Sequence, residues 1–272
     1  MSAPIEIYVA SFNTRLYTEL CVRSLHASAD HPFRLTVGDS GSRDGSAELL
    51  AQLAADGWLE LELSRGPRRH SAWLDGWLAG ATARRVLFCD SDIEFRRPGL
   101  LGEIASLAER TGAAIVTSEV LPADHYEDAD EGITTHLMSR PAPWLMMVDA
   151  DALRPLQISF EKHTEPCDDY PEGSRTFDVG ARLYHEALAR GLGHAVLPRR
   201  ARRSFRHYVG ASWRTVRPVG RLRRRTPLDV VQRSLTRLRE AQPAPSRHVV
   251  AVAGPDAVRV LDAAGDTALA SR

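Results

Sequence analysis

The chain has 272 residues, 43% of them hydrophobic, which suits one large α/β domain or two small ones and is long enough to bury a core without staples. Its 35 basic side chains balance 35 acidic ones, so global charge names no partner, and no nucleic acid is expected. The scattered Cys21, Cys89 and Cys167 share no metal-ligand or redox spacing and read as reduced thiols. With no leader pattern over residues 1–4 and no run of ~20 apolar residues, the expectation is a cytoplasmic protein.

Ile5 to Ala10 is a β-branched, apolar run that predicts a buried strand. Asn13 or Thr14 can cap the following helix, in which Tyr17, Leu20, Cys21, Ser24 and Leu25 share one face. Phe33 to Val37 predicts a second strand, ending in the polar turn Gly38-Asp39-Ser40-Gly41. A helix over 46–55 follows, with Gly57 placed as its C-cap glycine. Leu59 to Leu63 alternates as a third strand. The stretch 72–81 predicts a helix with Trp73, Trp77 and Gly80 on one side, and Arg85 to Cys89 is a fourth, buried strand.

This alternation implies βαβ units and a mainly parallel sheet, with ligands outside the carboxyl ends of the strands. Ser11-Phe12-Asn13, Asp39-Ser40 and Asp90-Ser91-Asp92 each follow a strand and should gather on one edge. Beyond them, Leu100 to Arg110 reads as a helix, Ala114 to Ser118 as a strand, Asp124 to Glu131 as an acidic loop and Trp144 to Val148 as a strand. Val179 to Arg190 is a helix by its Val179, Leu183 and Ala187 face, and His194 to Leu197 a last sheet strand. From Arg199 to Arg225 there are eleven arginines and no acids. Past Pro243 and Pro245, the runs 249–253 and 257–261 read as a small appended hairpin. The pattern breaks after Trp213, which predicts that residues from Arg221 onward are dispensable for the chemistry.

Asp90 and Asp92, two carboxylates at i and i+2 past a buried strand, can point toward one hard cation that bridges diphosphate oxygens. A solvated Asp-x-Asp turn has the same sequence. Asp39 can accept hydrogen bonds from a base or ribose, or cap its own turn; Asn13 can bind a ligand or cap a helix. A neutral His207 imidazole suits manganese and similar ions, although a lone histidine is often a surface or core residue. The arginines around it can neutralise a diphosphate or form a solvated face. Arg221 to Arg225 reads as a solvated face, or as a weak peripheral contact with the inner face of an anionic membrane.

Together these features resemble the family 2 glycosyltransferases of GT-A fold. The resemblance rests on VASFNT and GDSGSRDGS within residues 5–50, on CDSDIEF at 89–95, which is similar to the family's metal-binding Asp-x-Asp, and on HYVGASW at 207–213, which looks like a closing segment found in part of the family. It covers about residues 5–213. It implies an α/β fold of GT-A type: a mainly parallel, Rossmann-like sheet flanked by helices, with a small C-terminal extension. Residues 1–118 would bind the nucleotide-sugar, 119–220 the acceptor while completing the metal site, and 221–272 would form a basic helix and extension.

The resemblance further implies donor contacts from Ser11, Asn13, Asp39, Asp90 and Ser91, and a Mn2+ or Mg2+ site made by Asp90, Asp92 and His207. Two places depart from the family pattern. The segment before the Asp-x-Asp reads RGPRRHSAWLDGW instead of an asparagine-rich helix start, so Arg69 or His70 would supply its contacts. Where the family often has a Glu-Asp pair, Thr176-Phe177-Asp178-Val179-Gly180 offers Asp178 alone as the base, with an N-cap role as the other reading and Asp168-Asp169 as the rival pair. The expected reaction is inverting transfer of a sugar from a nucleotide diphosphate to a carbohydrate, a lipid-linked saccharide or a small metabolite. A nucleotidyltransferase would need a Gly-rich loop after the first strand, which VASFNTR lacks; the other alternative is a binding module without turnover.

Overall fold

The structure, a computed structural model, describes residues 2–128, 133–170, 173–208, 227–241, 244–250 and 257–261. In chain order the strands are β1 (Ile5–Ser11), β2 (Phe33–Asp39), β3 (Glu60–Ser64), β4 (Arg85–Asp90), β5 (Ile93–Phe95), β6 (Ile115–Thr117), β7 (Val120–Leu121), β8 (Asp124–Asp128), β9 (Ile133–Leu137), β10 (Arg140–Pro141), β11 (Leu145–Asp149), β12 (His163–Pro166), β13 (Ser174–Phe177), β14 (His194–Val196), β15 (Phe205–His207) and β16 (Val258–Leu261). The helices are α1 (Arg15–Ser28), α2 (Ser46–Ala55), α3 (His70–Gly80), α4 (Leu100–Thr111), α5 (Ala150–Leu153), α6 (Ala181–Ala189), α7 (Arg199–Arg202) and α8 (Pro227–Ala241).

An eight-stranded sheet runs β14-β6-β11-β4-β1-β2-β3-β16. Its pairs are parallel except at β11, which lies antiparallel between β4 and β6. The chain moves outward from β1 through β2 to β3, then returns to lay β4 on the other side of β1. That reversal opens a crevice at the carboxyl ends of β1 and β4, where ligands of open α/β sheets bind.

Side chains alternate across the sheet and build two cores. Leu87, Cys89, Leu145 and Met147 face one way, toward Cys21 and Leu25 of α1, Leu50 and Leu53 of α2, and Leu101 and Ile104 of α4. Val86, Phe88, Met146 and Val148 face the other way, toward Trp73 and Trp77 of α3, Leu153 of α5 and Leu183 of α6. Gly38 is required here: a Cβ on it would sit 2.7 Å from Trp77 and 2.8 Å from Trp73, inside van der Waals contact.

The alternation of strands and helices expected up to Cys89 is present, and Tyr17, Leu20, Cys21, Ser24 and Leu25 are all buried. Gly80, expected beside the tryptophans, is exposed. The acidic stretch after 124 is not a loop throughout. β8 pairs antiparallel with β9, in a four-stranded sheet ordered β12-β13-β9-β8. Its charge density obscured strand-forming residues, Tyr126 on one strand and the β-branched Ile133-Thr134-Thr135 on the other.

The stretch after Pro245 does not pair with itself among the described residues. Val249 bridges Phe33 at the start of β2, whereas β16 extends the main sheet beside β3. Helix α8 packs against α1, and Val231 and Leu235 are buried with Tyr17, Leu20 and Tyr208. Parts of the segment from Arg221 onward are thus built into the body of the fold, contrary to the separable tail expected from the break in pattern. Arg221 to Arg225 lie outside the described residues.

Candidate active site

Register sets the site's level. Ser11 of β1 is opposite Asp39 of β2, and Ala10 of β1 is opposite Asp90 of β4. The three polar clusters therefore share one edge of the sheet. Hydroxyls tie the first and third together below the surface: Ser11 Oγ lies 3.1 Å from Thr18 Oγ1, Thr18 Oγ1 lies 3.0 Å from Thr14 Oγ1, and Thr14 Oγ1 lies 3.0 Å from Ser91 Oγ; the Ser40 amide donates to the Ser11 carbonyl at 3.0 Å. Ser11 and Ser91 are both buried in this network.

Asp39 is 1% exposed. Its Oδ1 accepts the amides of Gly41 and Ser42, at 3.0 and 2.9 Å, and its Oδ2 accepts the Ser42 hydroxyl at 2.6 Å. These bonds shape the turn. Asn13 has φ 52, in the left-handed region that asparagine tolerates, and its Oδ1 accepts the Arg43 amide. Neither Asn13 nor Thr14 caps α1 with its side chain; Asp44 does, accepting the Arg15 amide at 2.9 Å. The other oxygen of Asp44 accepts the Ser46 amide and hydroxyl at the start of α2. Phe12, 39% exposed, presents an apolar surface on the same edge.

Past β4 the chain turns through Asp90-Ser91-Asp92 into β5, which pairs antiparallel with β15. His207 lies opposite Ile93, the residue after Asp92, so this pairing brings His207 Nε2 to 3.2 Å from Asp92 Oδ1. The ring of Trp144 stacks on His207 at 4.8 Å and fixes its plane. Ligand atoms of Asp90, Asp92 and His207 all lie within 4.8 Å of one another. Asp92 Oδ1 is buried and makes no hydrogen bond among the described residues, since its approach to His207 lacks hydrogen-bond geometry. A buried carboxylate oxygen without a hydrogen bond is costly unless a cation or water completes it. Two hard oxygens with one imidazole suit Mn2+ or Mg2+. Burial raises the Asp90 carboxyl above its usual range; His70 opposes this, the Asp92 charge adds to it, and His207 opposes it again.

The sequence profile of Glycosyl transferase family 2 matches residues 6–142. The chain belongs to this family. Among solved structures, a mannosyltransferase from Pyrobaculum calidifontis, in complex with GDP-Man and Mn2+, superimposes with a TM-score of 0.51 at 18% identity, covering 88% of this chain and 70% of that one. Glucosyl-3-phosphoglycerate synthase from Mycobacterium tuberculosis, with Mn2+, UDP and glucosyl-3-phosphoglycerate, gives a TM-score of 0.47 at 15% identity, covering 90% of this chain and 81% of that one. Identity this low speaks for the fold alone, which is of GT-A type. No curated protein sequence matches the chain.

Within this family 2 fold, the remaining candidates separate. The Arg69 side chain is 80% exposed and pairs with Glu161, whereas His70 Nε2 lies 3.6 Å from Asp90 Oδ1. His70 is thus the basic residue of that segment found at the Asp-x-Asp. Asp178 lies between β13 and α6, and its Oδ2 is 2.9 Å from Arg140 Nη1. It makes no cap: α6 starts after Gly180 with no side-chain cap bond. Asp168 and Asp169 are exposed in the segment joining β12 to β13. Trp144, Asp44 and Arg140 were not anticipated. The Asp-Gly-Ser run at 44–46 is a helix-start signal that points to Asp44; nothing local in sequence announces the Trp144 or Arg140 contacts.

Proposed function

We propose that this family 2 glycosyltransferase moves a sugar from a nucleotide-diphosphate donor to an acceptor hydroxyl with inversion, using Mn2+ or Mg2+ held by Asp90, Asp92 and His207. The observation that carries the reading is the buried Asp92 Oδ1, without a hydrogen bond and beside a second carboxylate and an imidazole at the sheet's reversal point. The mannosyltransferase of like fold, in complex with GDP-Man and Mn2+, agrees with it. When bound, the cation supplies Lewis-acid stabilisation of the departing diphosphate.

The chain's own residues do the rest. Asn13, the Asp39 turn and the exposed Phe12 ring line the edge for the nucleoside; Ser11 and Ser91 brace that edge from beneath. His70, closer to Asp90 than Arg69 is, adds a donor toward the phosphates. Asp178 accepts the proton of the acceptor hydroxyl as that oxygen bonds to the anomeric carbon. The bond from that carbon to the diphosphate breaks, and its electron pair leaves on the phosphate oxygen. Arg140 holds one Asp178 oxygen in place and leaves the other for the acceptor. Residues 1–118 serve the donor, and 119–220, with the four-stranded sheet, serve a carbohydrate, lipid-linked or small-metabolite acceptor.

Calorimetry tests the metal assignment. Asp92→Ala should abolish Mn2+-dependent binding of a nucleoside diphosphate while thermal unfolding stays cooperative. A folded Asp92→Ala protein with wild-type Mn2+-dependent affinity would refute it.

A further inference from the structure

Helix α8 lies far along the chain from the Asp-x-Asp turn, yet it packs on the residue next to His207. Val231, 0% exposed, and Leu235, 1% exposed, are buried with Tyr17, Leu20 and Tyr208. Tyr208 packs edge-on against Tyr17 of α1, with ring centroids 5.7 Å apart. Its amide donates to the Asp92 carbonyl at 2.9 Å, and its hydroxyl donates to Glu94 Oε2 at 2.8 Å. Tyr208 is therefore clamped between α8 and α1 on one side and the Asp92 carbonyl and Glu94 carboxylate on the other. β15 has only three residues, too few to hold its own position by pairing alone.

A buried ion pair fastens the helix. Glu19 of α1 is 1% exposed, and Arg239 of α8 grips both its oxygens, at 2.8 and 2.5 Å, while Arg23 adds a contact at 2.9 Å. Burial would lift the Glu19 carboxyl, but the bonds from Arg239 and Arg23 overcome it and hold the carboxyl below its usual range. Such a forked pair between partly buried groups fixes geometry as well as adding energy.

We propose that α8 is a positioning element for the metal site: through Val231, Leu235 and the Glu19–Arg239 latch it seats Tyr208, and through Tyr208 it holds His207 within reach of Asp90 and Asp92. Arg239 and Val231 are positioning residues that touch neither donor nor cation. This inference rests on the metal reading above.

The test is a double-mutant cycle on Mn2+ affinity, measured by calorimetry on the full chain with nucleoside diphosphate present. His207→Ala should weaken Mn2+ binding by about tenfold or more, in line with loss of one ligand. Arg239→Ala should weaken it several-fold in the otherwise native chain and by less than about twofold once His207 is already alanine, because the two act on one contact. Val231→Ala, a milder truncation of the same packing, should show the same pattern if Arg239→Ala does not fold. Equal losses in both backgrounds, or unchanged affinity in folded Arg239→Ala and Val231→Ala proteins while His207→Ala is impaired, overturns the positioning role alone. Full Mn2+ affinity in His207→Ala overturns the metal reading and the positioning role with it.

Discussion

His26 ties α1 to two distant segments, and its protonation should unlock them. It is 3% exposed. Its Nε2 donates to the Trp58 carbonyl at 2.8 Å, and its Nδ1 accepts the Ser246 amide at 3.0 Å, which fixes a neutral ring with the proton on Nε2. The rings of Phe33 and Trp58 pack edge-on around it. Burial, opposed by the Trp58 bond and aided by the nearby Arg23 charge, lowers its pKa to about 4 from 6.5. A histidine with a depressed folded pKa contributes stability above its unfolded value, and that stability is lost as pH falls from about 6.5 toward about 4. The full shift corresponds to about 3 kcal/mol, of which about 2 kcal/mol is lost between pH 7 and pH 5. Urea unfolding followed by tryptophan fluorescence at both pH values measures this. His26→Gln can still donate and accept but cannot charge, so its stability should fall by about 2 kcal/mol less over the same interval. Parallel losses in the two proteins would refute the assignment of the acid sensitivity to this ring.

Other substitutions probe the scaffold and the chemistry separately. Gly38→Ala drives a methyl into Trp73 and Trp77 and should cost about 1–3 kcal/mol, read as a lower urea midpoint. Asp44→Ala removes bonds at the starts of α1 and α2 together and should cost about 1–2 kcal/mol by the same assay. Asp178→Asn should leave folding and donor binding near wild type, since no helix cap is lost and the amide oxygen can still accept from Arg140, while transfer drops by at least ~10²-fold in a product assay.

The sheet and its carboxyl edge were legible because they rest on local signals. Buried strands such as Val86-Leu87-Phe88-Cys89 announce themselves as apolar runs, and the polar residues after them fall on one edge by βαβ geometry alone. Asp90 and Asp92 were legible for the same reason. His207 stood out as an imidazole suited to a cation, but only the resemblance to a closing segment set it beside the Asp-x-Asp, because its proximity to Asp92 depends on the β5–β15 pairing across more than a hundred residues of sequence. The dual cap by Asp44 was hidden behind Asn13 and Thr14, which have equally good capping chemistry but point elsewhere. The Asp178–Arg140 pair was hidden because the two lie on elements whose packing is set by the second half's short strands. The docking of α8 was hidden by its surface: Arg233, Arg237 and Arg239 make it look solvated, yet Arg239 reaches a buried carboxylate.

The pairing of β16 with β3 sets an order of events for the growing polypeptide. Leu61 and Val258 are register partners, so the chain must close a loop of about 200 residues before that edge of the sheet is covered. Loop closure of this size is slow relative to the local βαβ units, and until it occurs the outer backbone groups of β3 remain a template for other strands. During synthesis, the first half of the fold can assemble while that edge waits for residues made about 200 positions later. On that side of the sheet, Glu60–Ser64 is then the strand open to other nascent or truncated chains, and its Glu60 and Glu62 place like charges on the line along which two such edges would meet.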